Sequence, residues 1–246
     1  DMDEEEALAR LIALAGTSAP DAALLRAVVE EGGELGGGRA LAGSDESDGA
    51  AGAPVDSTKW VADTGGQGWG NQERQYYTPG ENALLDGGGN LVITARVSTD
   101  SARQCWYGVC GYTSARLKTK GRFETTYGRF EARIRVPRGQ GIWPAFWMLG
   151  ADIDQVGWPQ SGEIDVMENI GREPRTVHGT VHGPGYAGAN GIGGAYTLTT
   201  ASLADDFHIF AVEWTPGEIR WLIDGAEYRR LTPAELPSGA AWVFNH

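Results

Sequence analysis

Three carboxylates fall within six residues of the segment Gly162-Glu163-Ile164-Asp165-Val166-Met167-Glu168-Asn169, between apolar side chains that favour strands. On a regular strand Glu163 and Asp165 point the same way, while Glu168, five positions from Glu163, points to the opposite face. A β-bulge at Val166-Met167 would set two residues against one on the neighbouring strand and return Glu168 to the face of the other two. Two glutamates flanking one groove suit hydrolysis of a glycosidic bond. In the retaining form the carboxyls lie about 5 to 5.5 Å apart: one attacks the anomeric carbon, while the other protonates the leaving oxygen and then activates water. Glu163 is assigned as nucleophile and Glu168 as general acid/base. Asp165 is placed between them to hydrogen-bond Glu163 and to help hold the two carboxyls in different protonation states. Solvated acidic side chains on one face of a strand are the plainer reading of the same spacing.

The elements that must position these residues are legible nearby. Gly139-Gln140-Gly141-Ile142-Trp143-Pro144-Ala145-Phe146-Trp147-Met148-Leu149 precedes the acidic strand, Tyr127 to Ile134 reads as another strand, and Phe207 to Pro216 as a later strand and turn. With these runs and Gly68-Trp69-Gly70-Asn71-Gln72-Glu73-Arg74-Gln75-Tyr76-Tyr77, the chain resembles glycoside hydrolase family 16 from about Ala53 onward. The resemblance is strongest to the bacterial endo-β-1,3-glucanases called laminarinases, whose motif is E-I-D-x-M-E in the bulged form. It implies a β-glucan substrate cut at internal β-1,3 bonds. The inserted Met167 argues against the unbulged lichenase form, although mixed-linkage glucan, agar-type galactan and a non-catalytic β-glucan-binding module remain alternatives. The resemblance also places Trp143 and Trp147 beside the glycone subsites, Asn71 on sugar hydroxyls and His182 on the aglycone side near the acid/base.

Flat C–H faces of sugars stack on aromatic rings, and the chain holds 9 tryptophans. Core packing is the competing reading for Trp147 and, less so, for Trp143; Trp214 and Trp221 alternate with apolar neighbours and read as core. His178 lies four residues before His182, on the same face of the following strand, and fits a structural role equally well. His208 reads as structural.

Composition fixes the class. A chain of 246 residues with 41% hydrophobic residues can bury an ordinary core, and 37 glycines between short apolar alternations point to an all-β protein with tight turns. Asp224-Gly225 is a strong hairpin signal and Asp86 to Asn90 a turn into a strand. The expected fold is a jelly-roll sandwich of two antiparallel sheets over residues 41–246. A net charge of −13 with no basic run disfavours nucleic acid, and no transmembrane segment is seen, so neither nucleic acid nor membrane is expected as a partner. A monomer is expected. Catalysis of this kind requires no cofactor; by resemblance Glu46 could ligate a structural calcium, although the family's partner aspartate has no counterpart here. Cys105 and Cys110 bracket a Gly-containing turn and either pair, which would imply an oxidising compartment, or stay as thiols.

Residues 1–40 are read as a helical extension. Leu8, Leu11, Ile12 and Ala15 recur at helical spacing, and a second run after Pro20 carries Leu24, Leu25, Val28 and Val29. Its acidic start lacks the basic region of a signal peptide, although an extracellular location is expected from the family. The segment from Gly36 to Gly52 reads as a linker, with a degraded first strand in which Gly43 and Ser47 replace aromatics. The chain stops at Ala241 to His246, before the long apolar strand, Gly-Gly-x-Trp loop and closing strand of the family, so unpaired backbone and bare apolar faces are expected.

Overall fold

A computed structural model describes residues 23–30 and 39–245, with side chains from residue 41 onward. Twelve strands build its two main sheets. They are β1 (Ala23–Glu30), β2 (Arg39–Asp45), β3 (Ala83–Leu85), β4 (Leu91–Ile93), β5 (Gly128–Ile134), β6 (Ala145–Leu149), β7 (Glu163–Glu168), β8 (Thr176–His182), β9 (Ile192–Thr197), β10 (His208–Thr215), β11 (Glu218–Ile223) and β12 (Ala226–Leu231). The larger sheet runs β12-β11-β10-β5-β1-β4-β3, with β2 paired to β1; the smaller runs β6-β7-β8-β9. Every pairing within the two sheets is antiparallel.

Period-two alternation produces the sandwich. Phe130, Ala132 and Ile134 of β5, Phe210 and Val212 of β10, and Ile219, Trp221 and Ile223 of β11 meet Ile164, Val166 and Met167 of β7 and Val177 and Val181 of β8 in one core. The hairpin expected at Asp224-Gly225 joins β11 to β12; both residues have positive φ, 50° and 82°, the conformation that a two-residue turn matching strand twist requires.

Two expectations at the N-terminal end are overturned. The run after Pro20 is not a helix: Ala23–Glu30 is a strand, paired from Ala23↔Ile134 to Val28↔Arg129 with β5 and on its other side with β2. An apolar run of this length fits either period, and the open edge of β5 offers a ladder of backbone hydrogen bonds that outweighs local preference. The larger sheet is thereby continuous across β5. Part of the supposed linker, Arg39–Asp45, is likewise a strand. At Gly43 the place of an aromatic is taken from across the fold, since a Cβ there would come within 2.9 Å of the Phe123 ring. The first expected helix, Leu8 to Ala15, lies outside the described residues. Among the described residues no helix is long and apolar enough to cross a membrane.

One core residue ties the two sheets together at the site. Trp221 is fully buried, and its indole N–H donates to the backbone oxygen of Asp165 at 2.8 Å. The indole fits because residue 179 is glycine: a Cβ there would lie 2.3 Å from Trp221 Cδ1. Trp221→Phe removes buried volume and strands a buried carbonyl, so it is expected to cost ~3 kcal/mol in urea unfolding. Its turnover should fall as well, because the bonded carbonyl begins the bulge described below.

Candidate active site

The bulge lies where the carboxylate spacing demands it. Along β6 the partners run Leu149↔Glu163, Met148↔Ile164 and Trp147↔Asp165, then Phe146↔Met167 and Ala145↔Glu168, so Val166 is the extra residue. On the other side Asp165 faces Thr180 and Glu168 faces His178. Val166 and Met167 both enter the core, at 1% and 0% exposure. With two successive side chains facing inward, Glu168 returns to the face of Glu163 and Asp165.

Each glutamate is held by an indole. Trp143, just before β6, donates its Nε1–H to Glu168 Oε1 at 2.9 Å, and Trp158 donates to Glu163 Oε2 at 2.6 Å. Burial, the repulsion of Asp165 and, to a smaller degree, that of Glu163 push the Glu168 carboxyl up to about 8, against the opposing pull of Trp143 and His182. Glu168 therefore carries a proton at neutral pH, as a general acid must. Asp165 is 3% exposed, and burial together with adjacent Glu163, to which it hydrogen-bonds, holds its carboxyl well above the usual carboxylate range. That hydrogen bond ties Asp165 to Glu163. Asp165→Ala, which deletes the hydrogen bond to Glu163, is expected to lower kcat 10- to 100-fold with KM little changed, since a single oriented hydrogen bond in a desolvated site is worth roughly that much. Steady-state kinetics on a soluble glucan would check it.

His182, opposite Glu163 on β8, places Nε2 3.2 Å from Asp165 Oδ2. His178 instead bonds Glu173 Oε2 at 3.0 Å, and His208 bonds Asp224 Oδ2 at 2.7 Å; both serve surface structure. Trp147, opposite Asp165, is half-buried rather than core. Asn71 lies in an exposed loop, where its amide donates to Glu73 Oε1 at 3.3 Å.

Sequence reasoning missed the group that links that loop to the cleft. The Arg116 guanidinium lies over both the Trp69 ring at 4.8 Å and the Trp147 ring at 4.6 Å, and Asp63 holds its Nε at 3.1 Å. Glu73 is fully buried, accepts hydrogen bonds from Gln75 at 2.9 Å and Tyr77 at 2.7 Å as well as from Asn71, and burial raises its carboxyl above the ordinary value. Trp158 was missed too, and its sole signal was an aromatic placed five residues before the first glutamate.

Glu46, which the resemblance assigns to a structural calcium, directly follows β2. Neighbouring Asp45 is taken by Trp60 Nε1 at 2.5 Å and Lys59 Nζ at 3.5 Å, and among the described residues no three His, Cys, Asp or Glu side chains converge on a point that could hold a metal ion. Cys105 and Cys110 form a disulfide, with Cα atoms 5.1 Å apart, across the hairpin of Gln104–Cys105 and Gly108–Val109.

A sandwich that presents two glutamates on one face of one sheet, with burial raising the carboxyl of one, has the constitution of a glycoside hydrolase. Residues 71–243 match the model for glycosyl hydrolases family 16, and the chain belongs to that family. It is similar to a beta-glucanase of Rhodothermus marinus, 47% identical over 83% of this chain and 71% of the relative. It is also 36% identical to glucan endo-1,3-beta-glucosidase A1 of Niallia circulans, over 77% of this chain but only 29% of that longer protein. Among solved structures the laminarinase catalytic domain of Thermotoga maritima matches with a TM-score of 0.77 and 46% identity, covering 84% of this chain and 83% of that one.

Proposed function

We propose that this chain is a retaining endo-β-1,3-glucanase acting on laminarin-like glucans. The observation that carries the reading is the bulge, which brings a protonated Glu168 to the face of an indole-held Glu163. Glu163 attacks the anomeric carbon while Glu168 gives its proton to the departing glycosidic oxygen, forming a covalent glycosyl-enzyme. Glu168, now a carboxylate, takes a proton from water, which attacks the same carbon and frees Glu163. Both displacements use only side chains of this chain and water. The names of the relatives from Rhodothermus marinus and Niallia circulans support glucan as the substrate, and the second supports β-1,3 linkage.

The short-loop disulfide supports an extracellular setting, and a net charge of −13 makes anionic partners such as nucleic acid or acidic lipid unfavourable. We take the working form to be a monomer. Reducing-sugar release from laminarin, lichenan and agarose tests the substrate, with laminarin expected to be cut fastest and the first product expected in the β configuration by NMR. Faster release from lichenan or agarose would reassign the linkage, and glucan binding without release would make the chain a binding module.

A further inference from the structure

The disulfide hairpin carries an aromatic that the two-carboxylate chemistry does not use. Trp106, at the hairpin tip between Cys105 and Cys110, leaves 52% of its surface exposed, yet it is firmly held. Its backbone N–H donates to Gly66 O at 2.9 Å, and its indole N–H donates to Glu73 O at 2.9 Å. Tyr107 packs edge-on against it at 5.4 Å, and its hydroxyl donates to Arg74 O at 2.6 Å. A Cβ on Gly68 would lie 2.9 Å from Trp106 Cδ1, so the indole lies directly against the loop that bears Trp69 and Asn71.

That loop is coupled to the cleft. Trp147 faces Asp165 across the β6–β7 pair, Arg116 stacks on Trp147, Trp69 stacks on Arg116, and Trp106 rests on the backbone beside Trp69. Flat groups therefore continue outward from the carboxylates, past β6, to a rigid, half-open indole whose only polar atom is already satisfied. With 52% of its surface open and its N–H satisfied, what it offers a ligand is apolar ring surface, and a ring held in place before binding loses little entropy when a sugar packs on it.

We propose that Trp106 is the platform of a distal sugar subsite, gripping a β-glucan chain beyond the residues that reach Trp147 and Trp69. The proposal rests on the glucanase reading above. It makes affinity depend on chain length, because only a substrate long enough to run past Trp69 reaches Trp106.

The test compares the wild type with Trp106→Ala and Trp106→Tyr on laminarin and on laminaritriose. For Trp106→Ala, KM on laminarin is expected to rise about 5-fold with kcat within 2-fold, a single ring stack being of that strength. Kinetics on the trisaccharide should be unchanged, and Trp106→Tyr should recover most of the loss. Equal losses on both substrates would mean that Trp106 merely props the loop and would overturn the proposal, as would no loss on either. Affinity electrophoresis in laminarin gels gives a readout independent of turnover: retardation weaker for Trp106→Ala than for the wild type is expected, and undiminished retardation would also overturn it. A wild type that binds laminarin but does not cut it would sink the glucanase reading while leaving the subsite measurable in the gel.

Discussion

Glu163→Gln is expected to lose hydrolysis of laminarin by roughly 10⁴-fold or more in kcat, with an unchanged circular dichroism spectrum and a melting temperature within a few degrees of the wild type. The amide matches the carboxylate in shape and can still accept the Trp158 indole N–H, which in the wild type lies 2.6 Å from Glu163 Oε2. It cannot form the glycosyl-enzyme, because an amide oxygen is a poor nucleophile and the resulting adduct would have to carry positive charge. The loss should therefore appear in kcat while the substrate still binds. Ordinary turnover in a folded variant would remove Glu163 from the nucleophile role and leave the bulge without its chemical purpose.

The second large effect separates the two steps of the reaction. Glu168→Ala is expected to slow cleavage of laminarin by about 10³-fold, since the departing sugar oxygen is a poor leaving group without a proton. On a dinitrophenyl β-glucoside of laminaribiose, whose leaving group needs no proton, formation of the glycosyl-enzyme should be nearly normal and its hydrolysis slow. Azide, a nucleophile that needs no general base, should then restore turnover and yield a β-glycosyl azide. An α product would show inversion and contradict a retaining mechanism.

The protonation of Glu168 gives the same residue a pH signature. Cleavage requires its proton, and burial pushes the carboxyl up to about 8, so kcat/KM of the wild type should fall as pH rises through about 8. That limb should vanish in Glu168→Ala acting on the activated substrate. The sign for stability follows from proton counting. Between the unfolded value near 4.5 and the folded value near 8 the native state binds more protons than the unfolded chain, so stability falls as pH rises across that window. Glu168→Gln removes the ionisation and should be more stable than the wild type at pH 8, by on the order of 2 kcal/mol in denaturant titrations.

A strand with regular alternation, such as β5, is legible from the chain because period two and the core face agree at every position. The hairpin at Asp224-Gly225 is legible because few other residues tolerate two successive positive φ angles. The region read as helix and linker is not. Its apolar spacing serves both periods, and the deciding partner, the edge of β5, lies about a hundred residues away in the chain. Arg116 was invisible for a similar reason: an arginine in a strand-rich segment looks like solvated surface until two tryptophans, one from a loop and one from β6, come within cation–π distance of it.

The sequence by itself determined the reacting groups and the device that aligns them. Three carboxylates at offsets of two and three residues have one way to share a face, and that way is an extra residue at Val166-Met167. Only the tertiary structure decided how those groups are tuned. The proton on Glu168 depends on burial and on Asp165, the carbonyl that begins the bulge is held by Trp221 from the opposite sheet, and each glutamate takes its indole donor from a segment outside β7. Spacing is a local property of the chain, whereas desolvation and hydrogen-bond geometry exist only once distant segments have been packed together.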